Sequence, residues 1–183
     1  MMRILILLTM SALGFMACNE SDNTNNPGDE STEKVLANNN KVSIGDTTKA
    51  AAWLIDAIRN HFESNSPTME AMTTKEYYQY KTEATNVDMG INGSLDRLDF
   101  EQKWKDKFDT RYSGIQTGFL ISAQDFGKVV VNSYDFLKDE ANRLWFNVII
   151  EDLDFKTKFL RQIAIIKEGD SFKIADVKED KEG

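Results

Sequence analysis

The chain has few of the residues that carry most enzyme chemistry: in 183 residues it holds one cysteine, Cys18, and one histidine, His61. A lone thiol forms no intramolecular disulfide and no thiolate zinc site. A single histidine leaves no His–carboxylate pair or metal cluster to assign, so neither a metal nor a cofactor is expected. Positive charge is also short, with 22 Lys and Arg against 30 Asp and Glu and a net charge of −8. That balance argues against nucleic acid, which needs a basic footprint, and against simple attraction to an anionic lipid surface. Asp125-Phe-Gly127 matches three letters of the kinase signature, but no Gly-rich phosphate loop, strand lysine or catalytic-loop pattern accompanies it. The one long apolar run, at the N-terminus, falls short of the ~20 residues that span a bilayer.

What is present describes a single globular domain. Hydrophobic residues make up 41% and charged residues 28%, with 11 Phe, 5 Tyr and 3 Trp to build a core.

Residues 1–17 read as a secretory signal. Arg3 supplies the positive start, and Ile4 to Met10 supplies the apolar stretch. Phe15-Met16-Ala17-Cys18 resembles a bacterial lipobox, in which a small residue precedes the cysteine that becomes acylated. Cys18 is therefore expected to be a lipid anchor rather than a catalyst. At ~0.8 kcal/mol per buried methylene, two or three acyl chains hold a protein on a membrane almost permanently. Residues 18–46, rich in Asn, Ser, Thr, Asp and Glu around Pro27-Gly28, have too little to bury and read as a flexible tether. Asn19 in place of Asp lacks the enterobacterial inner-membrane retention signal, and Glu20 and Asp22 resemble the acidic patch of surface-exported lipoproteins. The expected location is the Gram-negative cell envelope, at the outer membrane on its periplasmic or cell-surface side.

Residues 47–183 read as one α+β domain: three N-terminal helices packed on a long curved antiparallel sheet. Leu54, Ile58 and Phe62 recur at helical spacing, after a start near Asp46 to Thr48. A second helix is predicted from Thr73, with Glu76 at the capping-box spacing and Tyr77, Tyr80 and Ala84 facing inward. A third, from Asp99, aligns Phe100, Trp104 and Phe108. From Gly118 the period becomes two: Phe119, Ile121 and Ala123 first, then Val129 and Val131, Leu144 to Ile150, Phe159 to Ile165, and Phe172 with Ile174. The separators are Lys138 to Asn142, a link near Asp154, and Glu168 to Ser171. Trp145 and Ile149, like Ala164 and Ile166, give two strands apolar on both faces, so these are predicted to be central.

This order of elements, ending in Phe172-Lys-Ile-Ala-Asp-Val177, resembles the cone of the nuclear transport factor 2-like superfamily over about residues 47–179. Trp104, Gly118-Phe119, Gln124 to Gly127 and Ile174 to Val177 resemble bacterial lipoproteins of a domain-of-unknown-function family with this cystatin-like fold. The resemblance implies a hollow at the wide end of a bent sheet, used in the superfamily by isomerases, dehydratases and pure binding modules alike.

Five residues are candidates for that hollow. Strand parity places Asp176 on the face of Phe172 and Ile174, where a carboxylate in an apolar hollow has a raised pKa and acts as acid or base. Its other expectation is a wet strand rim, because Lys178 and Glu179 follow at once. Tyr77, Tyr80, Asp125 and Phe172 complete the proposed lining. His61 reads as a partly exposed helix residue. Glu151 to Asp154 reads as a solvated strand end, since calcium-loop spacing is absent. The expected function is a membrane-anchored, non-catalytic module binding a small ligand or protein. A small-molecule enzyme using Asp and Tyr, or a protective envelope protein of the immunity type, is the alternative. The sheet face offers a surface for a homodimer.

Overall fold

The structure, a computed structural model, describes residues 44–179. The chain divides into two units, Met1–Asn38 and Asn39–Gly183, and the described residues belong to the second. The segment read as signal, Cys18 and most of the tether lies outside them.

Helix α1 (Ile44–Ser64) takes in residues 44–46 as well as the predicted span. Its buried residues, Ala50, Ala51, Leu54, Ala57 and Ile58, fall on one face, with Trp53 and Phe62 half-buried beside them. Burying Leu54 and Ile58 contributes about 1.5–3 kcal/mol each. The helix ends where Asn65 turns left-handed at φ 52°. His61 lies half-buried there: its Nδ1–H donates to the Pro67 carbonyl at 2.8 Å, and its ring meets Phe119 edge-on.

A one-turn helix α2 (Met69–Met72), unpredicted, precedes α3 (Lys75–Asn86). Thr74, not Thr73, caps α3 by accepting from the Tyr77 N–H at 3.1 Å. Thr73 instead pairs with Ile174 of the sheet, and the Thr74 N–H donates to the Ile174 carbonyl at 2.8 Å. Helix α4 (Arg97–Trp104) is capped by Asp96, three residues before the expected start at Asp99. Asp96 can turn its carboxylate onto the Asp99 N–H, a bond the apolar pattern alone does not reveal. Tyr80 stacks on Phe108 at 4.2 Å and on Phe100 at 5.4 Å, and Trp104 meets its edge, so the aromatic stripes are core.

Four strands form an open antiparallel sheet in the order β1-β2-β3-β4: β1 (Val129–Glu140), β2 (Arg143–Asp152), β3 (Thr157–Glu168) and β4 (Ser171–Glu179). The α+β class and antiparallel meander stand as read, with four α-helices among the described residues rather than three. β2 and β3 are central, as their two-sided apolar pattern requires. One face, with Phe146, Val148, Ile150, Ile163 and Ile165, meets the helices. On the other, Trp145 is buried, with the Lys138 and Lys178 ammonium groups 6.0 and 5.0 Å from its ring centroid.

Three sequence expectations fail here. Phe119 to Ala123 is not a strand: Leu120 sits at φ +70° and the segment forms no ladder, although Leu120 and Ile121 are buried. The alternation lies in residue type alone: the adjacent Leu120 and Ile121 are both buried, which a regular strand with one covered face does not give. The separator Lys138 to Asn142 shrinks to Ala141-Asn142, both at positive φ in a two-residue hairpin turn, so β1 runs on through Glu140. Third, a bulge in β4 makes Ala164 partner Asp176 while Ile165 partners Ile174, leaving Ala175 as the extra residue.

Candidate functional site

The most constrained polar group in the domain is one that composition does not reveal. Lys81 falls one turn after Tyr77 in α3, so the helix carries its ammonium into the core, where the residue is 0% exposed. Arg161 stands between Phe159 and Ile163 on the inner face of β3, and Glu179 follows Val177 on β4. Register places Arg161 and Glu179 directly opposite one another. Both are buried.

These three charges form one network. Lys81 Nζ donates to Glu179 Oε1 at 2.5 Å and to the Ser113 carbonyl, the Gly114 carbonyl and Thr117 Oγ1, each at 3.1 Å. Glu179 Oε2 accepts from the hydroxyls of Thr117 (3.0 Å) and Ser122 (3.3 Å), with Arg161 Nη2 at 3.7 Å. Arg161 in turn donates through Nε to the Leu120 carbonyl at 2.9 Å and through Nη2 to Ser122 Oγ at 2.8 Å. Burial pushes the Lys81 pKa down, and the facing Glu179 carboxylate opposes that shift.

The irregular segment 113–122 exists to meet this network, and it is tied to α3 in two places. The Gln116 N–H donates to the Ala84 carbonyl at 3.0 Å, and Thr85 Oγ1 donates to the Thr117 carbonyl at 3.0 Å. Gly114 has a left-handed φ of +58°, and a Cβ there would lie 2.2–2.3 Å from the Glu179 carboxyl atoms. Only glycine lets backbone and carboxylate approach so closely.

Above the network lies an open hollow of about 350 Å³. Arg97 and Glu101 of α4, Thr110, Arg111, Thr117 and Ser122 line it, with Glu179 at its floor. Arg111 is held by a two-point bond to Asp109, Nε to Oδ1 at 2.8 Å and Nη2 to Oδ2 at 2.7 Å. Arg97 forms no ion pair among the described residues. A second hollow lies between α3 and the β3–β4 turn. Of its three carboxylates, Glu70, Glu83 and Glu168, Glu83 is already committed to Lys103, Trp104 and Gln79.

None of the five residues singled out from sequence lines the first hollow. Tyr77 and Tyr80 adjoin each other at 5.9 Å but are each 1% exposed, packed into the core rather than walling a mouth. Burial, aided by the charge of Asp176, pushes both phenols upward. The Tyr80 hydroxyl bonds the Ser113 side chain. Phe172 packs against Trp53. Asp125 is exposed in a turn.

Asp176 is the correction with the clearest cause. The Ala175 bulge reverses strand parity, so Asp176 joins Lys138, Trp145 and Ala164 in a row across the outer sheet face. It is neither in the helix-side hollow nor wet at a rim: it is 5% exposed. Burial raises its pKa to about 6, against the pull of Arg143 and Lys178.

The supposed solvated strand end is also something else. Asp152 is buried and accepts from the N–H groups of Gly127, Asp154 and Phe155 at 2.8–3.1 Å. Burial raises its pKa, but these three donors prevail and hold it below the usual carboxylate range. Asp154 packs so closely on Gly127 that a Cβ there would lie 2.2 Å from its carboxylate, which explains the glycine of the Asp-Phe-Gly triplet.

Lys81, Arg161 and Glu179 escaped the sequence reading, although a signal was there. Lys81 and Arg161 occupy positions at which the local apolar periodicity points inward, where a charge requires partners, whereas Glu179 turns inward only through the Ala175 bulge. Which partners such a charge finds depends on contacts far along the chain. No protein-family model, curated protein or solved structure matches the chain.

Proposed function

We propose that this chain is a lipid-anchored, non-catalytic binding module of the Gram-negative cell envelope that receives a small polar ligand in the hollow above Glu179. One observation carries this reading: the charged groups at the floor are fully occupied with one another. Glu179 accepts from Lys81, Thr117 and Ser122 and has Arg161 beside it, so its negative charge is held by protein groups and stabilised against taking a substrate proton. Lys81 has three acceptors besides the carboxylate and is no free nucleophile. Such a floor gives shape and field without chemistry. Asp176, the buried acid with a suitable pKa, lies on the opposite face of the sheet, away from this hollow.

Helices on one face of a four-stranded antiparallel sheet, with a hollow beside them, are in keeping with a nuclear transport factor 2-like cone. The anchor at Cys18, a tether holding the domain ~30 Å from its lipid, and an outer-membrane location complete the proposal. So does pairing of two copies through the outer sheet face, where Leu160 of β3, opposite Ile149, is exposed.

The test is a fragment screen on the full-length protein in detergent, followed by amide NMR. Saturable shifts centred on Gly114, Thr117 and Ser122, with the fragments recovered unchanged, are expected. Conversion of a fragment to product, or hits only at other surfaces, would overturn the reading.

A further inference from the structure

We infer that the ligand of this hollow carries an oxyanion, a carboxylate or a phosphate, which Arg97 and Arg111 receive at the mouth. The inference rests on the binding reading above and narrows its ligand class. The first reason is local charge. Around the hollow and its floor, Arg97, Arg111, Lys81 and Arg161 face Glu101, Asp109 and Glu179, four cations against three carboxylates. This small positive excess stands out in a chain whose net charge is −8. A net positive excess in a concave site favours anions.

The second reason is which of those charges is uncommitted. Asp109 and Glu179 are bonded to protein cations, whereas Glu101, one helical turn from Arg97 on α4, forms no ion pair with it. Arg97, which lines the hollow, therefore keeps its donor fork uncommitted among the described residues. Arg111 spends Nε and Nη2 on Asp109, and its Nη1 makes no hydrogen bond among the described residues. Two guanidinium groups lining one hollow together with Thr110 suit an oxyanion, because guanidinium forks match carboxylate and phosphate oxygens in pairs. At about 350 Å³ the hollow sits at the small end of ligand sites, so the molecule is compact. Glu101, the one uncommitted carboxylate, tempers the field at the mouth.

The experiment titrates full-length protein with sodium phosphate and, separately, sodium succinate, each at constant ionic strength, following the Gly114, Thr117 and Ser122 amides. Saturable binding of at least one anion is expected, and the pair of titrations tells phosphate from carboxylate. Arg97→Gln, at an exposed helix position, should weaken that binding about tenfold without altering the fold, as loss of a charge-assisted pair does. Glu101→Gln should strengthen it. Equal affinity in wild type and Arg97→Gln, or no saturation with either anion, would overturn the oxyanion assignment. Ethylammonium and erythritol titrations separate the two levels. If either saturates these amides while the anions do not, the module stands and the oxyanion falls; if nothing shifts them, both fall.

Discussion

Replacing Lys81 by methionine tests the central claim that a buried ionic network organises this end of the domain. Methionine is similar in length and apolar, so it fills the channel while deleting the ammonium. Four losses then coincide. Glu179 keeps the Thr117 and Ser122 hydroxyls and Arg161 at 3.7 Å, but loses its 2.5 Å partner. The Ser113 and Gly114 carbonyls and Thr117 Oγ1 lose a donor they accept from at 3.1 Å. Breaking one partner of a buried ion pair costs about 3–5 kcal/mol. In a domain of this size that lowers the melting temperature by ~10–15 °C. Urea denaturation followed by circular dichroism measures it, with an unchanged slope showing that the unfolded state is the same. Glu179→Gln should cost a comparable amount, because it strands Lys81. The double variant Lys81→Met/Glu179→Gln should be less damaging than the two costs added, with coupling of at least ~2 kcal/mol. A single Lys81→Met variant within ~1 kcal/mol of wild type, or a strictly additive double, would refute the reasoning.

Three more predictions follow from other parts of the molecule. Asp176 has a folded pKa of about 6, above the ordinary aspartate value of ~3.9, so the stability it contributes is full below ~pH 4 and is lost as pH rises through ~6. Asp176→Asn should accordingly stabilise the protein by about 2–3 kcal/mol at pH 7.5 and leave it unchanged at pH 4; equal urea midpoints at both pH values would contradict this. Gly114→Ala, whose Cβ meets Glu179 at 2.2 Å, should cost well over the ~1 kcal/mol of a left-handed alanine, whereas Gly90→Ala, with nothing within 4 Å, should cost only that backbone share. Similar melting curves for the two would remove the steric argument. Intact mass of membrane-extracted protein should show a diacylglyceryl-sized addition on Cys18, and Cys18→Ser should release soluble chain; an unmodified thiol on native material would dismiss the anchor.

The apolar stripes of α1 and α3, the Phe100, Trp104 and Phe108 set, and the strands from Val129 onward were all legible in the sequence, because each is a local period. Leu54 and Ile58, or Phe146 and Val148, announce their face to any reader who knows the pitch of a helix or the pleat of a strand. Helix starts were less legible: Thr74 and Asp96 act as caps because the chain turns there, whereas Thr73 leaves to pair with Ile174. The alternation of residue types around Phe119 to Ala123 misled because the segment turns at Leu120 and buries it together with its neighbour Ile121.

The sequence by itself determined the class of the domain, its aromatic core and its central strands, since these follow from periodicity within a dozen residues. Tertiary structure alone decided the site. The Lys81–Glu179 contact joins residues 98 apart in the chain, and no local pattern states which inward charge will meet which. It also decided the fate of Asp176, because one extra residue at Ala175 reverses the face of every side chain after it. A period is a property of neighbours in sequence, whereas a charge pair and a register are properties of neighbours in space.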